Sequence, residues 1–152
     1  MINSESREYV ILVSHGSLAY GMKTAIEMIC GNDMDIESYD LDHYKSPEEI
    51  YVILDNMVKE NPDDKFIVFT DLLGGSVHNR LLGLALNEKV IIITGMHLGL
   101  VLSMLLDTIG TLEERAERAI ESSSPMIVMY TKDKILEESE KLGKEDDLWS
   151  NV

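Results

Sequence analysis

Three short segments of this sequence carry residue types that could move a phosphoryl group. His15 sits in Ser14-His15-Gly16-Ser17, Asp71 opens Asp71-Leu72-Leu73-Gly74-Gly75-Ser76, and a third polar loop reads Thr94-Gly95-Met96-His97. A neutral imidazole is a good nucleophile, with an ordinary pKa of about 6.5. A carboxylate such as Asp71 supplies what that ring needs, a group that fixes its tautomer and stabilises the positive charge developing on it. Gly74-Gly75-Ser76 is a turn without bulky side chains that opens a helix, so its backbone N–H groups and the helix start could receive an anion. No Gly-Lys-Ser/Thr follows it, which excludes a P-loop. The four histidines, His15, His43, His78 and His97, are not spaced as metal ligands with one another or with the lone Cys30, so neither metal nor cofactor is expected. A phosphoryl-accepting histidine fits the set best. The plainer readings, a packed or surface histidine and an aspartate that caps its loop, stay open at this point.

The elements that must position these residues are legible as repeated strand–helix units. Residues 9–13, 65–70 and 89–94 are short β-branched or apolar runs, and each leads into one of the three loops. Residues 35–41 set Ile36, Ser38 and Asp40 against Glu37, Tyr39 and Leu41 and predict a more exposed edge strand. Helices are predicted over 18–30, from Ser46 to about Lys59, over 77–86, from about Leu98, and over 111–121. Ser46 with Glu49, and Thr111 with Glu114, read as capping boxes, and Pro47 suits the first helical position. Ser122-Ser123-Ser124-Pro125 then precedes a last strand candidate over 126–130. Together these predict an α/β fold: a mostly parallel open sheet of four strands flanked by helices. Ligands bind such sheets at the carboxyl ends of the strands, where the strand order reverses. A histidine, a carboxylate and a glycine-rich turn would there share one crevice.

The 152 residues suit a single domain. Carboxylates outnumber Lys and Arg 28 to 13, for a net charge of −15. That balance argues against holding nucleic acid or docking on anionic lipid. Cys30 ends an apolar helical run and reads as a small buried hydrophobe in a reducing compartment. No apolar run approaches the ~20 residues of a membrane span, and the first residues lack a signal-peptide pattern. A cytoplasmic protein is expected.

Residues 11–22, 70–79 and 93–98 resemble the three hallmark segments of the EIIA component of the mannose family of the phosphoenolpyruvate-dependent sugar phosphotransferase system (PTS). The resemblance spans about residues 8–131, within a domain taken as residues 1–132, with a charged helix or tail over 133–152. It implies that His15 accepts a phosphoryl group from the phosphocarrier protein HPr and passes it to an EIIB component, which serves a membrane EIIC/EIID permease. It further implies that Asp71 orients His15, and that Ser14, Gly74, Gly75 and Ser76 cradle the phosphoryl oxygens. A homodimer is implied too, in which residues 126–130 form a fifth, antiparallel strand exchanged between subunits. The sequence departs from the family pattern at Val77-His78 and at Met96-His97, which puts His78 and His97 forward as rim residues. Alternatives are the related phosphotransfer subunit of dihydroxyacetone kinase and a regulatory module that binds an anion without turnover.

Overall fold

In the computed structural model, which describes residues 5–143, four strands alternate with helices, and two further α-helices follow the fourth strand–helix unit. Strands β1 (Glu8–Ser14), β2 (Ile36–Asp40), β3 (Lys65–Thr70) and β4 (Val90–Thr94) form one sheet in the order β2-β1-β3-β4. Every neighbouring pair is parallel, with Ser14 opposite Asp40, Val13 opposite Thr70, and Thr70 opposite Thr94. The order reverses between β1 and β3, so the crevice expected of such sheets opens at the ends of those two strands.

Alternation along the central strands sorts the core into two faces. Leu12, Ile67 and Phe69 pack with Ala19 and Ile26 of α1 (Leu18–Cys30), Val101 and Met104 of α4 (Leu98–Leu106), and Ala116 of α5 (Leu112–Ser123). Ile11, Val13, Phe66 and Val68 pack with Ile50 and Leu54 of α2 (Pro47–Glu60) and with Val77 and Leu81 of α3 (Ser76–Leu81). Burial on both faces explains why β1 and β3 read as nearly unbroken apolar runs. β2 and β4 are the edges.

The helix starts follow their sequence signals, with one difference. Thr111 and Glu114 form a complete capping box on α5. At α2, Ser46 Oγ accepts the Glu49 N–H as expected, but Glu49 Oε2 reaches back to the Lys45 N–H at 2.7 Å rather than to that of Ser46. The expected helix over 77–86 is divided, with α3 ending at Leu81 and a 3-10 turn covering Leu82–Leu86. Cys30 is half-buried against the α1 side of the core.

The expected fifth strand does not pair within its own chain. After α5 the chain makes a 3-10 turn over Ser124–Met126, then runs through 127–131 without a ladder partner before α6 (Lys132–Leu142). Ile127, Met129 and Tyr130 are exposed. A strand needs a neighbour to take its N–H and C=O groups, and among the described residues no strand pairs with this segment. Of the expected tail, α6 accounts for the first part, and residues 144–152 lie outside the described residues.

Candidate functional site

The loop leaving β1 and the loop leaving β3 meet at the reversal point. His15 follows directly on β1, and Gly16, at φ 51°, turns the backbone through a region that residues with a Cβ seldom adopt. Asp71 follows directly on β3, and Gly74, at φ 75°, folds its loop back toward α3.

Asp71 holds His15 at two points with one oxygen. Its Oδ2 accepts the His15 backbone N–H at 2.9 Å and lies 2.9 Å from His15 Nδ1, while Oδ1 accepts the Leu72 N–H at 2.9 Å. A carboxylate oxygen only accepts, so Nδ1 carries the proton and Nε2 keeps its lone pair. Nε2 lies 3.1 Å from Ser76 Oγ, at the first residue of α3. The His15 side chain is 40% exposed and that of Asp71 11%, so the ring is accessible while its carboxylate is largely shielded from water. That shielding strengthens the coupling between them.

Gly75 sits against the ring. A Cβ there would stand 3.1 Å from His15 Cε1 and 3.2 Å from the Leu72 carbonyl oxygen. Its N–H is not free, because it closes the turn on the Leu72 carbonyl at 3.1 Å. Its contribution is room for the imidazole.

Ser14, expected to help cradle an anion, is fully buried, and its Oγ accepts the Ala19 N–H at 2.7 Å, which ties α1 to β1. His78, expected at the rim, is 8% exposed, with Nδ1 3.3 Å from Thr70 Oγ1. It pins the first turn of α3 to the end of β3. Arg80 further along α3 reaches Glu48 of α2 and lies over the Tyr51 ring at 3.4 Å, fixing the same helix from its other side. His97 is partly buried and precedes α4, lining a cleft of about 350 Å³ on the outer side of β4 with Ile92, Thr94, Ile120 and Ile127. That places it one strand away from the β1–β3 crevice.

His43, given no role by sequence, lies at the same sheet edge as His15. Its Nδ1 is 2.7 Å from Asp40 Oδ1 at the end of β2. Among the described residues no group of three or more His, Cys, Asp or Glu side chains could hold a metal ion. No helix among them is long and apolar enough to cross a membrane.

The arrangement is an oriented, accessible imidazole that presents Nε2 with its lone pair. Residues 9–121 match the family model EIIA-man, described as PTS system fructose IIA component. The fold is shared with a PTS IIA protein associated with the fucose utilization operon of Streptococcus pneumoniae, at 28% identity and TM-score 0.59, over 86% of this chain and 98% of that one. It is shared with phosphotransferase system component EIIA from Streptococcus agalactiae, at 24% identity and TM-score 0.69, over 80% of this chain and 96% of that one. The mannose/sorbose specific IIA subunit of Enterococcus faecalis matches at 19% identity and TM-score 0.68, over 83% of this chain and 96% of that one.

Proposed function

This chain belongs to the EIIA-man family of phosphotransferase-system IIA components, and on that premise we propose that it carries a phosphoryl group on His15 Nε2, between HPr and an EIIB component. The observation that carries the reading is the double hold of Asp71 Oδ2 on the His15 N–H and Nδ1–H, which leaves Nε2 as the one ring nitrogen able to attack. The lone pair of Nε2 forms the new N–P bond as the bond to the donor imidazole breaks. The Nδ1 proton stays in place, and Asp71 offsets the positive charge on the ring. Ser76 Oγ, at 3.1 Å from Nε2, is placed to donate to a phosphoryl oxygen. Gly75 leaves the ring free to hold this pose, and Gly74 brings the turn to it. Two histidines exchange the group without a nucleotide, so the step needs no metal.

Exposed Leu18 and Tyr20 at the start of α1, and Leu72 and Leu73 in the loop after Asp71, suit an apolar protein contact rather than a small-molecule pocket. The net charge of −15 favours a donor with basic residues beside its own phosphohistidine. Such partners imply a cytoplasmic protein. We also assign it a homodimer, in which residues 127–131 of each chain cross to the partner and pair at its β4 edge. The exposed apolar run, the cleft beside β4 and the buried, unpartnered Thr94 Oγ1 support that pairing.

The test is labelled phosphoenolpyruvate with the first enzyme of the system, HPr and a mannose-family EIIB. Wild type passes label on to EIIB, and His15→Ala does not. Onward transfer by His15→Ala at the wild-type rate would overturn the reading.

A further inference from the structure

One strand over from His15, the chain repeats the same arrangement. Asp40 ends β2, and its register partner on β1 is Ser14, the residue before His15. Asp40 Oδ1 accepts the His43 backbone N–H at 3.0 Å and lies 2.7 Å from His43 Nδ1. Asp71 Oδ2 engages the same two groups of His15, at 2.9 Å each. Both imidazoles therefore carry their proton on Nδ1 and present Nε2 with its lone pair. The second pair is the more polarised by burial and the more accessible at its ring. The Asp40 side chain is 2% exposed, and that of His43 59%. Tyr20 of α1 flanks the ring, with centroids 5.7 Å apart.

The turn after β2 does not need this imidazole. The Tyr44 N–H closes it on the Asp40 carbonyl at 2.9 Å, and the Asp42 N–H adds a bond to Asp40 Oδ1 at 3.1 Å. A docked protein covers about 800 Å² on each partner, while neighbouring strands stand only ~5 Å apart. A donor seated over His15 therefore also covers the end of β2.

We propose that His43 is a second phosphoryl-accepting residue, filled by the same class of donor as His15, a protein phosphohistidine. The proposal rests on the phosphoryl-carrier reading given above. The His43 Nε2 lone pair forms an N–P bond while the donor's N–P bond breaks, and its electron pair returns to the donor ring. The Nδ1 proton remains between His43 and Asp40, so no proton, metal or other reactant is required. His43 lacks a counterpart of Ser76 among its hydrogen-bond partners. Losing one such fixed donor typically slows a transfer about 100-fold, so His43 fills about 100-fold more slowly than His15.

The experiment follows full-length protein with phosphoenolpyruvate, the first enzyme and HPr, by intact mass and by peptide mapping at alkaline pH, where phosphohistidine survives. Wild type should gain one phosphoryl group at His15, and then a second at His43 on the slower timescale. His15→Gln should gain one, at His43. His43→Gln, altered at an exposed ring, should fill His15 at the wild-type rate and gain no second group. His15→Gln with His43→Gln should gain none. If His15 is filled while His43 stays unmodified after an incubation about 1,000-fold longer, in wild type and in His15→Gln alike, this inference is overturned and the His15 reading stands. Label at neither residue overturns both.

Discussion

Replacing Asp71 by Asn changes one atom and removes both the charge and one acceptor. In the native loop Oδ2 faces two donors of His15, and Oδ1 faces the Leu72 N–H. An amide has a single acceptor oxygen. With that oxygen toward His15, its NH₂ opposes the Leu72 N–H and the loop opens; flipped, the NH₂ opposes Nδ1 and forces the proton onto Nε2, which removes the nucleophile. Even in the productive pose the charge is gone. A full positive charge on the ring, about 4 Å from the carboxylate centre, is worth ~4 kcal/mol at an effective dielectric of about 20. With roughly half of that charge developed in the transition state, the loss is ~2 kcal/mol, or a rate about 30-fold slower. The flipped amide adds to this, so about 30-fold is a lower bound. Rapid-quench measurement of transfer from phospho-HPr to Asp71→Asn reads this directly, with circular dichroism confirming the fold. Transfer at the wild-type rate would refute the reasoning and leave Asp71 as a loop cap only.

Other residues give predictions of the same kind. In Gly75→Ala the new Cβ, 3.1 Å from His15 Cε1 and 3.2 Å from a carbonyl oxygen, must displace the ring, since the backbone yields less easily. Transfer should fall about 10-fold with little change in melting temperature; an unchanged rate would mean the ring tolerates the shift. Glu48 is held below the usual carboxylate range by its hydrogen bond from Arg80, and Asp107 by that from Arg118 and then by the Ile109 N–H. Both contributions are complete above the ordinary carboxylate pKa of about 4 and fade as pH falls through the lowered folded values. Glu48→Gln with Asp107→Asn should therefore flatten part of the fall in melting temperature between about pH 5 and pH 3, and an unaltered fall would contradict these assignments. Transfer from HPr should slow as salt rises toward physiological strength, where the Debye length is ~8 Å; a salt-independent rate would assign the charge to solubility alone. Light scattering should give twice the 17.1 kDa chain mass, with Val128→Asp shifting the protein toward monomer. A dimer unaffected by that change would rule out exchange of residues 127–131.

The sheet was legible because its central strands are buried on both faces and written almost entirely in apolar residues. Thr111 with Glu114 announces a helix start that forms as read, and the strand–loop pattern alone puts His15 and Asp71 on one edge. Direction was harder to read than position. Ser14 is where the sequence puts it, yet its hydroxyl turns inward to cap α1, because the last position of a buried strand faces a helix as readily as the crevice. His78 lies on the inward arc of α3 beside Val77 and Leu81, and only packing reveals that its ring meets Thr70. Gly75 read as a source of a free N–H, but the turn itself consumes that group. Residues 126–130 carry the composition of a strand, while pairing is a property of two segments, and within one chain this segment meets no strand edge. His43 is hard to read from sequence because a histidine outside metal spacing carries little signal alone. The readable sign was an aspartate at a strand end with a histidine three residues on.

The central claim is that the phosphoryl group rests on Nε2 of His15 while Asp71 keeps the proton on Nδ1. It is tested most directly by ³¹P–¹⁵N correlation on protein with ¹⁵N-labelled histidine, phosphorylated through HPr. The account predicts that the first phosphoryl equivalent couples to Nε2 of His15, and that this signal vanishes in His15→Gln. Coupling to Nδ1, or a first equivalent on any other residue, would contradict it.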